Sequence, residues 1–159
     1  MKKYFAYGSN MDQDRMEERG IKIISAKSGI AKNCNLVFNK IAFFNDFIGY
    51  ANIEFEANMF VEGVIYAIED DDVKKLDKAE GYPNHYNKWK LKIETQNGEI
   101  EECFTYIANP IRTRAGLKPT RDYLNHLLEG KDFLSNKYYK KLTSTICFDA
   151  SIGKIKQFS

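Results

Sequence analysis

Residues 4 to 7, Tyr4-Phe5-Ala6-Tyr7, form a short aromatic and apolar run that stops at Gly8-Ser9-Asn10. The pattern predicts a β-strand running into a turn with backbone freedom at positive φ, exposed N–H groups and an N-cap for the polar segment beyond it. Residues 11–19 are polar with helical potential and close on Gly20, which predicts a short helix. Apolar, β-branched and aromatic positions then recur with period two through residues 21–33, 34–44, 49–55 and 60–68, which predicts four strands. Gly63, inside the last of them, marks a bulge or a close backbone approach.

The acidic run Glu69-Asp70-Asp71-Asp72 resembles a metal site in composition but sits directly before a helical stretch, residues 73–79, where carboxylates favour the first turn. That helix ends near Gly81-Tyr82-Pro83. Strands over 86–96 and 99–108 are joined at Asn97-Gly98, a two-residue hairpin signal, and residues 109–119 form a loop carrying Arg112 and Arg114. Residues 120–129 read as a helix with an apolar stripe of Tyr123, Leu124, Leu127 and Leu128, and Ser135 caps a last helix through Leu142. With no repeat or linker, residues 1–159 read as one domain of the α+β class, built on a curled sheet or small β-barrel flanked by helices.

Composition narrows the function. A chain of 159 residues with 43% hydrophobic content fills one core and can enclose a pocket. Lys and Arg total 24 against 22 Asp and Glu, a formal charge of +2, which argues against a nucleic-acid or membrane partner and for a small molecule or a protein. The three widely spaced cysteines, Cys34, Cys103 and Cys147, suit neither a disulfide framework nor a zinc knuckle and read as buried reduced thiols. No hydrophobic run approaches membrane-spanning length, so a soluble cytoplasmic protein is expected, and its aromatics are compatible with a homodimer.

Among ionisable residues Glu80 stands out, because it shares a helical face with Val73 and Leu76 at spacings of i+7 and i+4. A carboxylate there, at the unfavourable end of a helix dipole and turned inward, should have a raised pKa and act as a general acid/base. Asp77 falls on a more polar face. Ser9 is a conceivable nucleophile, but nothing in the sequence brings His85 or His126 to it.

The opening run Tyr4-Phe5-Ala6-Tyr7-Gly8-Ser9-Asn10, the segment Leu76-Asp77-Lys78-Ala79-Glu80-Gly81, Tyr86 after it, and Pro119-Thr120-Arg121-Asp122-Tyr123 occur together and in order. This set resembles the γ-glutamylcyclotransferase family, whose fold is AIG2-like. The resemblance implies a small β-barrel flanked by helices and an intramolecular acyl transfer that cyclises a γ-glutamyl compound to 5-oxoproline without metal or cofactor. It implies Glu80 as the catalytic residue, substrate contacts from Tyr4, Phe5, Ala6, Tyr7, Gly8, Ser9 and Asn10, and Tyr123 lining the pocket. Arg112 or Arg114 is suggested by charge alone as partner for the substrate α-carboxylate. Alternatives are a γ-glutamyl amine or a γ-glutamyl-tagged metabolite as substrate, or a non-catalytic pocket of the same fold that binds a small acid or a partner protein.

Overall fold

The computed structural model describes residues 1–149. The one-domain expectation extends to Ser159, so its last ten residues lie outside the described residues. The chain runs β1 (Lys2–Ala6), a 3₁₀ turn (Ser9–Met11), α1 (Gln13–Glu18), β2 (Ile23–Ile41) and β3 (Gly49–Ile68). It continues through α2 (Val73–Glu80), β4 (Tyr86–Thr95), β5 (Ile100–Ala108), α3 (Arg121–Leu128) and α4 (Asn136–Thr143).

The strands close into a barrel in the order β1-β3-β2-β4-β5. Closure is made by β1, which pairs antiparallel with β3 and, through Tyr4 and Phe104, parallel with β5. The α+β barrel expected from the residue pattern is therefore the observed fold.

Residues 21–44 and 49–68, expected as four strands, form two long ones of 19 and 20 residues. The breaks suggested by Asn33 and by the polar stretch before Phe60 are bends within continuous strands. Asn33 and Asn58 take positive φ of 58° and 67°, and the β2–β3 register shifts between Lys32 and Cys34. Asparagine tolerates that conformation, so the ladder bends where it looks interrupted.

Strand pleating divides β1 between two cores. Phe5 and Tyr7 join Ala31, Ile53, Ile65 and Ile93 in a cluster drawn from strands and their ends, the barrel interior. Tyr4 and Ala6 join a second cluster that includes Met16, Leu76, Leu127 and Leu142, where the helices cover the outer face of the barrel. Gly63 explains itself here. A Cβ at that position would lie 2.3 Å from the Ala6 carbonyl oxygen and 2.9 Å from the Phe5 ring, so the glycine lets β1 pass close by.

The local end signals act as their chemistry suggests. Gly98 turns the β4–β5 hairpin at φ 80°, and Gly81 stops α2 in the left-handed conformation. Thr120 and Ser135 cap α3 and α4 by accepting the N–H groups of Tyr123 and Tyr138. The acidic run forms a 3₁₀ turn, Asp70–Asp72, leading into α2 without a side-chain cap. Its carboxylates are used elsewhere: Asp70 meets the N-terminal ammonium at 2.7 Å, and Asp72 accepts the Lys22 N–H at 2.9 Å and pairs with Lys75 at 3.0 Å. Cys34 and Cys103 are buried and free, and burial is the main reason both thiols lie above the usual range, Cys103 at about 11.

Candidate active site

A narrow cleft opens beside the turn after β1 and is lined by Tyr4, Tyr7, Gly8, Ser9, Asn10, Ala51, Glu80, Tyr86, Tyr106 and Tyr123. The wall has one carboxylate and five tyrosines. The elements that build it are the end of β1, the 3₁₀ turn, the end of α2, the facing strands and α3.

Asn10 organises the polar side. It is 2% exposed, and its Nδ2 donates both to Glu80 Oε1 at 2.7 Å and to the Tyr4 hydroxyl at 3.0 Å. Its Oδ1 accepts from Arg19, and its main-chain carbonyl accepts the Tyr66 hydroxyl at 2.8 Å. With every polar atom of the side chain engaged, Asn10 has one orientation available.

Glu80, with its side chain 18% exposed, has Arg19 Nη1 at 3.8 Å. Burial raises its pKa above the ordinary carboxylate value. The charges of Arg19, Arg15 and Lys40 and the hydrogen bond from Asn10 oppose that shift without cancelling it. The result is a proton acceptor poised above the usual carboxylate range, within a cleft, already hydrogen-bonded through one oxygen.

The tyrosines fix the cavity shape. Tyr86 donates to the Ala51 carbonyl at 2.9 Å, while Tyr123 accepts the Ala51 N–H at 2.9 Å, so one residue's main chain is pinned from both sides. Tyr7 donates to the Tyr106 carbonyl at 2.5 Å. Tyr106 in turn donates to Asp77 Oδ1 at 2.6 Å, and the other Asp77 oxygen takes Lys88 at 3.0 Å. Asp77, placed by its sequence position on the more polar face of α2, thus holds a cavity wall in place. Burial, the first cause at each, pushes the hydroxyls of Tyr4, Tyr7, Tyr86 and Tyr123 well above their usual range, which keeps them as neutral hydrogen-bonding groups.

The Gly8-Ser9-Asn10 turn differs from the positive-φ turn its composition suggests. Gly8 has φ −114°, and neither Ser9 nor Asn10 is among the residues with positive φ. The glycine keeps the turn clear of its neighbours instead, since a Cβ would sit tightly at 3.1 Å from the Ala51 Cβ and in contact with the Tyr123 hydroxyl at 3.5 Å. The turn closes with the Met11 N–H on the Gly8 carbonyl at 3.0 Å. The N–H groups of Ser9 and Asn10, in its first turn, therefore have no acceptor within the turn.

Phe5 and Ala6 do not line the cleft. Both are fully buried, Phe5 in the barrel interior and Ala6 under the helices, and their role is to carry the strand that delivers the turn. Arg112 and Arg114 are also elsewhere: Arg112 donates to the Asn84 carbonyl at 3.4 Å, and Arg114 bonds the Asp46 carbonyl and stacks over Phe47. The histidines are committed to other partners, His85 to Lys40 at 3.0 Å and His126 to Asp12 at 2.8 Å, so neither forms a Ser-His pair with Ser9. Among the described residues, no group of three or more His, Cys, Asp or Glu is placed to hold a metal ion. No helix among them is long and apolar enough to cross a membrane.

The model of the AIG2-like family matches residues 60–142, and the chain belongs to that family. Its fold is that of a solved γ-glutamyl cyclotransferase, with TM-score 0.81 and 24% identity over 93% of this chain and 89% of that one. An uncharacterized human protein is similar at TM-score 0.81 and 25% identity, over 93% and 89% of the two chains. YkqA from Bacillus subtilis matches at TM-score 0.80 and 23% identity, over 92% of this chain and 56% of that one. No curated protein matches the chain by sequence.

Proposed function

We propose that the protein is a γ-glutamylcyclotransferase that converts a γ-glutamyl compound to 5-oxoproline and releases the amine of the second moiety. The observation carrying this reading is a largely buried carboxylate with a raised pKa, Glu80, hydrogen-bonded to Asn10 on the wall of a cleft beside the Gly8-Ser9-Asn10 turn.

The reaction needs little more than these groups. Glu80 takes a proton from the substrate α-ammonium. The freed nitrogen attacks the γ-carbonyl carbon, closing a five-membered ring through a tetrahedral oxyanion. Glu80 gives the proton it took to the leaving nitrogen, and the carbon–nitrogen bond breaks as the oxyanion collapses and frees the amine. The Glu80 carboxylate then takes the second proton of the ring nitrogen, leaving the neutral lactam, and passes it to the released amine. The Ser9 and Asn10 N–H groups are the donors suited to the oxyanion. Because the attack is intramolecular, most of the catalytic gain lies in holding the cyclising conformer, and full preorientation is worth roughly 7–11 kcal/mol. The rigid tyrosine wall supports that role.

A panel of γ-glutamyl amino acids and γ-glutamyl amines, assayed by mass spectrometry for 5-oxoproline, tests the reading. Release from at least one class is expected and the preferred class identifies the leaving group. Tight binding of 5-oxoproline with no turnover of any member would replace the enzyme with a binding protein.

A further inference from the structure

We propose that Arg15 binds the α-carboxylate of the γ-glutamyl substrate and that Asp12 and His126 hold it in position. The inference rests on the function proposed above and deepens it, since a γ-glutamyl compound carries a free α-carboxylate at the reacting end.

Arg15 follows the cleft-lining turn on α1, and its contact with His126 joins that helix to α3, which carries the wall residue Tyr123. On α1 it is one turn before Arg19, which reaches Glu80 and Asn10, so the two guanidinium groups project from the same side of the helix. On the other side, Arg15 Nη1 is 3.3 Å from His126 Nε2, and His126 follows the wall residue Tyr123 by three positions on α3. Its charge also acts on Glu80, Tyr50 and Tyr123, three groups in or against the cleft.

The guanidinium is both anchored and incompletely used. Asp12 is buried, caps α1 through one oxygen by accepting the Asp14 N–H at 3.1 Å, and faces His126 Nδ1 with the other at 2.8 Å. With its proton on Nδ1, His126 donates to Asp12 and offers the Nε2 lone pair to Arg15. That chain leaves Arg15 Nε, which is fully buried and has no hydrogen-bond partner. A buried donor of this kind is unfavourable unless a ligand completes it. A carboxylate accepting from Nε and a terminal nitrogen together has the planar two-point geometry that arginine provides. Arg19, by contrast, is already committed to Glu80 and Asn10.

The test compares γ-glutamyl-alanine with 4-aminobutanoyl-alanine, which cyclises in the same way but lacks the α-carboxylate, in wild type, Arg15→Gln and Arg15→Lys. The wild-type kcat/KM ratio should favour the carboxylated substrate. Arg15→Gln should lower that ratio by roughly 10- to 100-fold, the range for a charged hydrogen-bonding pair, with partial recovery in Arg15→Lys. An unchanged ratio in Arg15→Gln, with the carboxylated substrate still preferred, overturns the assignment. His126→Ala, which keeps the guanidinium but removes its anchor, should give an intermediate loss in the same ratio.

A binding arm separates this proposal from the function itself. Titration calorimetry of 5-oxoproline against 2-pyrrolidinone should show a preference for the acid in wild type that Arg15→Gln removes. If neither substrate is turned over but that preference and its loss are seen, the catalytic reading fails while Arg15 stands. If turnover is normal and the preference survives in Arg15→Gln, Arg15 fails while the catalytic reading stands.

Discussion

Asn10 Nδ2 donates to Glu80 Oε1 at 2.7 Å across 70 positions of sequence, joining the turn after β1 to the last residue of α2. That bond favours the ionised form of Glu80, while burial disfavours it.

Removing that donor should shift the acid limb of the pH profile upward. The hydrogen bond from Asn10 lowers the Glu80 pKa against the larger effect of burial, so Asn10→Ala should raise it further. The expected result is a kcat/KM profile for 5-oxoproline release whose acid limb lies at higher pH than in wild type. An acid limb that does not move would mean that another group controls it.

Glu80→Gln should gain stability relative to wild type as pH rises. A raised carboxylate pKa means that the native state holds the proton more tightly than the unfolded chain. Wild type therefore loses stability as pH climbs from the ordinary carboxylate value of 4.5 through the raised one, and glutamine does not. Thermal melts at pH 4 to 8 should show the difference in midpoint moving in favour of the variant; a difference independent of pH would contradict a raised pKa.

Lys40 offers the opposite titration. Its side chain is 0% exposed, with Nζ on the Ile41 carbonyl at 2.7 Å, on His85 at 3.0 Å and 4.3 Å from the Phe43 ring centre. Burial first, then Arg112, lowers its pKa from 10.5 to about 8, while the Glu80 charge opposes the shift. The native state thus releases this proton more readily than the unfolded chain, so the lysine's contribution to stability should rise between pH 8 and 10.5, by on the order of 3 kcal/mol. Lys40→Met should lose that component, visible as a flatter dependence of melting temperature on pH over the same interval.

Gly63→Ala should damage the site from a distance. The added methyl would meet the Ala6 carbonyl oxygen at 2.3 Å, a main-chain atom that cannot move without moving β1. A destabilisation of about 1–3 kcal/mol is expected in denaturant unfolding, together with reduced turnover, because β1 delivers the Gly8-Ser9-Asn10 turn. Wild-type stability in this variant would show that β1 can yield there.

Features written in neighbouring residues were legible from sequence. The Asn97-Gly98 hairpin, the Gly81 stop and the Thr120 and Ser135 caps each depend on a side chain or conformation within a few positions, and each is present. The inward face of α2 was legible for the same reason, since helical spacing puts Glu80 with the buried Leu76. The continuity of β2 and β3 was not, because bends at Asn33 and Asn58 use the same residues as strand ends. Nor was the cluster of Asp12, Arg15 and His126, whose contacts span 111 and 114 positions and leave no periodic trace. Asp77 shows the intermediate case: its face was legible, while its bond to Tyr106 required the barrel to close.

The central claim is that Glu80 moves the proton in ring closure. The most direct measurement is the rate of 5-oxoproline release from γ-glutamyl substrate by wild type and by a folded Glu80→Gln variant, side by side. A loss of about 10²–10⁴-fold or more in turnover is predicted, the range for removing a general acid/base. Release at a near wild-type rate by the glutamine variant would contradict the account.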